Sequence, residues 1–189
     1  MGETSKPLGR PRSEDARLAV LHAADDMLVE QGYAAMTMKG IAERAKVGRQ
    51  TVYRWWSSKA EILLEASAAD AVRELTLPPG ADPEADISAF LSALSTFLTR
   101  SDAGLAYRAL LGEAQHDGKV AELVRGGDVL GEAARVVIRR AGAAGAFEGE
   151  RDDALVAELV GPLVFRVLSG GWDPTEGELS AMARRFLRR

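Results

Sequence analysis

Residues Gly48–Leu63 read GRQTVYRWWSSKAEIL and set two of the chain's three tryptophans side by side, next to a tyrosine and among Arg49, Arg54 and Lys59. In a chain with only 6% aromatic residues, that concentration needs a physical reason. Placed on a helix at about 100° per residue, Val52 and Trp56 point one way with Trp55 beside them, and Gln50 and Arg54 point the other, with Thr51 and Tyr53 on the flanks. The first side is an anchor. The second presents groups suited to base edges: Arg to guanine, Gln to adenine, Thr to a hydrogen-bonding partner or a thymine methyl. Tyr53 and Lys59 suit phosphates, and the free amides at the Gly48 end add partial positive charge. The stretch therefore predicts a short helix held from behind by large side chains and open in front to DNA.

The same local signals continue on both sides. Thr37 stands as an N-cap flanked by Met36 and Ile41, the two positions of a hydrophobic staple, and the helix it opens is expected to run to about Ala45. Gly48 caps the next, with Val47 and Val52 as the staple pair. Ser58 and Glu61 form an S-x-x-E capping box ahead of Ile62, Leu63 and Leu64, where a longer helix begins. Upstream, Ser13 opens a helix to about Gln31 with Leu18, Leu21, Ala24 and Leu28 on one stripe and Gly32 as its stop. Residues 1–12 carry Gly, Pro, Ser and scattered charge and are expected to be a disordered basic tail, with Arg10 and Arg12 placed to follow a DNA groove.

Downstream, PPGADPEAD breaks the chain after Leu77, with Asp82 as cap and Pro83 at the first position of another helix. From there to the end, apolar residues recur at spacings of three and four, with no alternation of period two, so the chain is all-α. The two last helices are the most apolar. One runs from about Asp152 to Leu168 with Leu155, Leu159, Leu163 and Val167 in line; the other is capped by Thr175 and Glu178 and carries Leu179, Met182, Ala183 and Phe186. These two stripes are expected to pair with a symmetry mate as a dimer interface, with Pro162 bending the first helix. The organisation read from the chain is a tail (1–12), a small three-helix unit (13–59) and a larger helical domain (60–189), with no internal repeat.

Charge is distributed unevenly. The net charge is -4, yet between Met36 and Lys59 six basic residues (Lys39, Arg44, Lys46, Arg49, Arg54, Lys59) face Glu43 alone. A basic patch on an acidic body suits a protein that meets phosphates at one end. There are no cysteines, which excludes disulfides, thiolate zinc sites and cysteine nucleophiles. The first residues lack the apolar run of a signal peptide, and no segment approaches the roughly 20 apolar residues of a membrane span. A cytoplasmic protein with no membrane partner is expected.

Enzymatic motifs are missing. Gly112 to Val120 resembles a phosphate loop but has five residues between its glycines instead of four, and Val follows Lys119 where Ser or Thr should hold magnesium. Glu113 and His116 make one E-x-x-H where a di-metal bundle needs two, and the only other histidine is His22. No catalytic residue, metal or cofactor is expected. Gly127-x-x-x-Gly131 reads as a close helix crossing or a bend. The alternative class is a helical binding module or enzyme whose basic N-terminal patch is incidental.

Thr37-Met-Lys-Gly-Ile41-Ala42, followed by Ala45-Lys-Val47-Gly-Arg-Gln-Thr51-Val-Tyr53-Arg-Trp-Trp56-Ser-Ser-Lys59-Ala-Glu-Ile-Leu63, resembles the N-terminal signature of the tetracycline-repressor (TetR) family. The likeness covers roughly residues 14–64. It implies a helix-turn-helix DNA-binding domain, a larger helical ligand-binding and dimerisation domain, and a homodimeric repressor that leaves a double-stranded DNA operator when a small-molecule effector binds. It makes Thr51, Tyr53 and Lys59 DNA contacts, Trp55 a contact where that family often has His, and Trp56 the core aromatic. With the basic residues and the polar face, the expected DNA-binding set is Arg10, Arg12, Thr37, Lys39, Lys46, Arg49, Gln50, Thr51, Tyr53, Arg54, Trp55 and Lys59. Two positions depart from the signature: Lys46 stands where Gly is usual in the turn, and Gly48 where Ser usually caps. A Lys with positive φ is strained, whereas Gly caps at a cost of a few tenths of a kcal/mol. Helix faces alone suggest Phe90, Leu94, Phe97, Tyr107, Arg108, Leu111 and Leu123 as the effector pocket.

Overall fold

The computed structural model describes residues 10–147, 151–170 and 172–188, and among these it contains ten helices and no strand. The chain divides into two compact units, Met1–Ala66 and Ser67–Arg189. The division falls later than the expected limit at residue 59. Ala60, Ile62, Leu63 and Ala66, in the first turns of the fourth helix, are buried with the first unit.

In the first unit, α1 (Arg10–Ala35) starts ahead of the expected cap at Ser13, and its regular turns are interrupted at Gly32, whose φ of 75° and ψ of 161° are open to glycine. Residues 10–12 thus belong to a helix, not to a disordered tail; residues 1–9 and the side chains of Arg10 and Arg12 lie outside the described residues. The short α2 (Met38–Arg44) is capped by Thr37, whose hydroxyl accepts the Gly40 N–H at 3.0 Å. Lys46 occupies the turn with φ 55°, the left-handed conformation its departure from the signature implied. Then α3 (Arg49–Trp55) starts from Gly48, which has no side chain to close the cap. Staple positions Met36, Ile41 and Val52 are buried and Val47 is half-buried.

The fourth helix, α4 (Lys59–Leu75), starts at Ser58, whose hydroxyl accepts the Glu61 N–H at 3.2 Å. The second arm of the expected box is displaced by one residue. The Glu61 carboxylate takes the backbone N–H of Ser57 at 2.7 Å, and the Ser57 hydroxyl as well, instead of reaching Ser58.

In the second unit, α5 (Pro83–Arg100) is the central element, with later helices packed around it. Asp82 caps it through the Ala85 N–H at 2.9 Å with Pro83 in the first turn. The inner face of α5 is Ile87, Phe90, Leu91, Leu94, Phe97 and Leu98, all at most 1% exposed. Helix α6 (Asp102–Glu113) crosses it so closely at Gly104 that a Cβ there would lie 1.7 Å from the Phe97 carbonyl oxygen. The segment that resembled a phosphate loop is the turn into α7 (Gly118–Gly127), where the Asp117 carboxylate caps the Lys119 and Val120 N–H groups.

Gly127-x-x-x-Gly131 is a bend. Asp128 adopts φ 37° and ψ 38° between α7 and α8 (Val129–Ala143), and its carboxylate folds over Gly131, with a carboxylate oxygen 2.2 Å from where a Cβ would stand. The Asp128 carboxylate also accepts from Arg135, whose other nitrogen reaches Asp153 at 2.8 Å. Last come α9 (Asp152–Gly170), with Pro162 inside it, and α10 (Glu176–Leu187), which starts with the complete Thr175–Glu178 capping box. Both pack against α5, and α9 packs against α8 as well.

Candidate nucleic-acid interface

The anchored and open sides of α3 fall as the spacing requires. Val52 is fully buried and Trp56 is 4% exposed, while Gln50, Tyr53 and Arg54 are exposed and Thr51 and Trp55 half-buried. Trp55 and Trp56 meet edge to face, centroids 5.5 Å apart and planes at 89°, the arrangement aromatic quadrupoles favour. The Trp56 indole N–H donates to Glu65 at 2.8 Å.

The six cations of the patch are not equivalent. Arg44 is turned back onto α1, bidentate to Glu30 with Nη2 2.6 Å from Oε1 and a further bond of 3.2 Å to Asp26. That guanidinium holds the Glu30 carboxyl below its usual range, chiefly through the hydrogen bond. Arg49 pairs with Glu43. Lys59 donates to the carbonyls of Tyr33 at 2.6 Å and Met36 at 3.1 Å, and its ammonium sits 4.0 Å from the centre of the Tyr33 ring. Among the described residues, Lys39, Lys46 and Arg54 have no ion-pair partner, and all three are exposed. Thr37, whose hydroxyl holds the α2 cap, is also exposed.

Of the expected DNA-facing set, the unit therefore brings Gln50, Thr51, Tyr53, Arg54 and Trp55 together on one helix, with Lys39 and Lys46 exposed on α2 and the turn after it. It commits Arg49 and Lys59 to contacts within the unit. Sequence reasoning missed the groups that hold the frame: Arg17, Tyr33, Arg44 with its α1 acids, and Glu65. Each acts at a separation outside the motif spacings, so no local pattern signals it.

The second unit holds the other two sets of candidates. Phe90, Leu94 and Phe97 are fully buried on α5 and Tyr107 is 7% exposed on α6. Burial, with the Asp128 carboxylate as a second cause, pushes the Tyr107 hydroxyl up to about 12. Arg108 donates to the Leu98 carbonyl at 3.2 Å, and Leu111 and Leu123 are half-buried. The expected dimer stripe is a correction. Leu155, Leu159, Leu163, Val167, Leu179, Ala183 and Phe186 are buried within the unit itself, and Met182 is half-buried. The α9 stripe faces α5 and α8, which use up its apolar surface.

What α9 leaves outside is a second stripe, Ala154, Ala157, Gly161, Phe165 and Leu168, with Phe165 71% and Leu168 50% exposed. Beside it lies a cleft of about 430 Å³ lined by Leu91, Ala157, Gly161, Pro162, Met182 and Phe186 among others. His22 and His116 are exposed, and the described residues contain no cluster of metal-ligating side chains. No described helix is long and apolar enough to cross a membrane.

Comparison with known proteins agrees with this geometry. Residues 20–66 match the family described as "Bacterial regulatory proteins, tetR family", and residues 77–186 match "Tetracyclin repressor-like, C-terminal domain". The chain belongs to the TetR family of transcriptional regulators, which are not enzymes. It is 40% identical over 117 residues to an uncharacterized HTH-type transcriptional regulator, YdeS, of Bacillus subtilis (strain 168), a match covering 62% of this chain and 59% of that one. It is 31% identical over 90 residues to the HTH-type transcriptional repressor KstR of Rhodococcus jostii (strain RHA1), covering 46% and 42% of the two chains. Among solved structures, the TetR family transcription regulator SCO0332 superposes with a TM-score of 0.76 at 27% identity, covering 92% of this chain and 97% of that one.

Proposed function

We propose that this chain is a ligand-responsive transcriptional repressor that binds a palindromic double-stranded DNA operator as a homodimer and is released by a small-molecule effector in the cytoplasm. The observation that carries the reading is the outer side of α3: Gln50, Tyr53 and Arg54 exposed over the buried Val52 and Trp56. Gln and Arg reach adenine and guanine edges, and the uncommitted Lys39 and Lys46 supply phosphate contacts nearby. Thr37, Arg49, Thr51, Trp55 and Lys59, and on the strength of the sequence Arg10 and Arg12, complete the set, with Arg49 and Lys59 exchanging contacts within the unit for phosphate oxygens. Repression is favoured by the likeness to KstR, a protein named as a repressor. The effector is assigned to the helical unit, around Tyr107 and Arg108 on α6 together with Phe90, Leu94, Phe97, Leu111 and Leu123.

The dimer is assigned to the outer stripe of α9. Its first half is small (Ala154, Ala157), its centre is Gly161, and its second half is large (Phe165, Leu168). In an antiparallel pair of α9 helices crossing at Gly161, each Ala157 meets a Phe165 and each Ala154 a Leu168. Every bulky side chain then fills a place left by a small one, which is the self-complementarity a two-fold interface requires. The test is selection of bound duplexes from a random pool. The expected product is a palindrome whose half-sites lie about 34–36 Å, or a multiple of that, apart. A recovered motif without symmetry, or no enrichment at all, refutes the reading.

A further inference from the structure

The Glu65 carboxylate is the point where α1, α4 and the end of α3 meet. One of its oxygens accepts the Trp56 indole N–H at 2.8 Å, and the other lies 2.5 Å from the Arg17 guanidinium. Trp56 is also the C-cap of α3, with its backbone N–H on the Val52 carbonyl at 3.0 Å. Its ring stands edge-on to Trp55, the neighbour of Arg54 in the chain. Arg54, Trp55 and Trp56 line one cleft of about 480 Å³ with Glu14, Arg17 and Glu65.

A buried indole N–H takes a partner, and an ionised acceptor makes that bond short and directional. The bond to Glu65 sets how the Trp56 ring is turned, and Arg17 holds the carboxylate in place. Without that bond the buried N–H has no partner, and a ring that turns to find one carries Trp55 and the last turn of α3 with it.

We infer that Glu65 is a positioning residue for operator discrimination: through Trp56, and braced by Arg17, it fixes the rotation of α3 and so the aim of Gln50 and Arg54. The inference rests on the assignment of α3 as the DNA-reading helix. Phosphate attraction tolerates a small misalignment of that helix, whereas bidentate contacts to base edges do not. The effect of losing Glu65 is therefore on the preference for one sequence over another.

The test compares Glu65→Gln, Glu65→Leu and Trp56→Phe on two duplexes, the one the wild type selects from a random pool and a scrambled version, below the melting temperature of each variant. Glu65→Gln keeps an acceptor for the indole but loses the charge that pairs with Arg17, and its ratio of affinities is expected to fall between those of wild type and Glu65→Leu. Glu65→Leu and Trp56→Phe are expected to bind the selected duplex about tenfold more weakly, the size of one lost hydrogen bond to a charged group. Their affinity for the scrambled duplex is expected to stay within about twofold, since phosphate contacts carry it. The near-ultraviolet circular dichroism of the tryptophans should change in Glu65→Leu, which retains all three of them. Equal losses on both duplexes, or a wild-type ratio in Glu65→Leu and Trp56→Phe, overturn the inference. A wild-type protein that prefers no duplex overturns the assignment of α3 itself, and this inference with it.

Discussion

The Lys59 ammonium donates to the Tyr33 carbonyl at 2.6 Å and at the same time sits 4.0 Å from the centre of the Tyr33 ring. With a second bond to the Met36 carbonyl at 3.1 Å, it fastens the start of α4 to the corner between α1 and α2. A side chain expected to meet phosphate is thus also part of the frame that holds the unit together.

Lys59→Ala is accordingly expected to lower the stability of the DNA-binding unit by about 1–3 kcal/mol, from the loss of hydrogen bonds made by a charged donor. It is also expected to weaken selected and scrambled duplexes alike, and to reduce the salt slope of binding by about one. Thermal melting and a salt titration separate the two roles. An unchanged slope beside a lowered melt would mean that Lys59 serves the frame alone.

Arg54→Ala tests base reading. Arg54 is exposed and has no ion pair among the described residues, so its removal leaves the fold unchanged while a guanine contact is lost. The expected cost is about 1–3 kcal/mol at one base position, with relaxed specificity there. A repeated selection that returns the same motif at the same affinity would remove Arg54 from the groove.

The two faces of α9 predict opposite outcomes. Phe165→Glu combined with Leu168→Glu, on the exposed stripe, is expected to give a folded monomer in sedimentation at micromolar concentration. Leu163→Glu places a charge at a fully buried position and is expected to unfold the helical unit. A dimeric Phe165/Leu168 double variant would move the interface elsewhere. Because the chain has no cysteine, Gly161→Cys alone can report the crossing point, since a residue on a two-fold axis cross-links to its own copy.

Tyr107 gives the helical unit an alkaline limit. Burial, aided by Asp128, pushes its hydroxyl from the ordinary value of 10.0 up to about 12. The unfolded chain releases this proton first, so below pH 10 the full contribution is present, and it is lost as pH rises from 10 through 12. The loss is on the order of 2 kcal/mol. Denaturant midpoints of wild type and Tyr107→Phe across this range measure it, the variant lacking this component of the decline. Parallel curves would show that Tyr107 ionises equally well in both states.

The elements legible in the sequence are those set within a few residues of one another. Thr37, Asp82 and Thr175 cap the helices their spacing announced, and the α3 faces follow from rotation per residue alone. The face of α9 was not legible, because both of its sides are apolar: Leu155, Leu159, Leu163 and Val167 on one, Ala157, Gly161, Phe165 and Leu168 on the other. Only the packing of α5 and α8 against the first side decides between them. The fate of the basic patch was hidden for a related reason. Arg44 is neutralised by Glu30 and Asp26 from an earlier helix, and charge counted along a window cannot register a partner outside it.

The folding of Asp128 over Gly131 makes these two positions one genetic unit. A methyl group at residue 131 would collide with the Asp128 carboxylate, which in turn is held by Arg135. Gly131→Ala is therefore expected to turn the Asp128 carboxylate aside and to cost the bond to Arg135, a loss that disappears once residue 128 is Gly, which also accepts the left-handed backbone at no steric cost. A second-site suppressor screen begun from Gly131→Ala should return to residue 128. A side chain at position 131 and the Asp128–Arg135 bond therefore compete for one place, so the two sites are expected to be coupled in sequence.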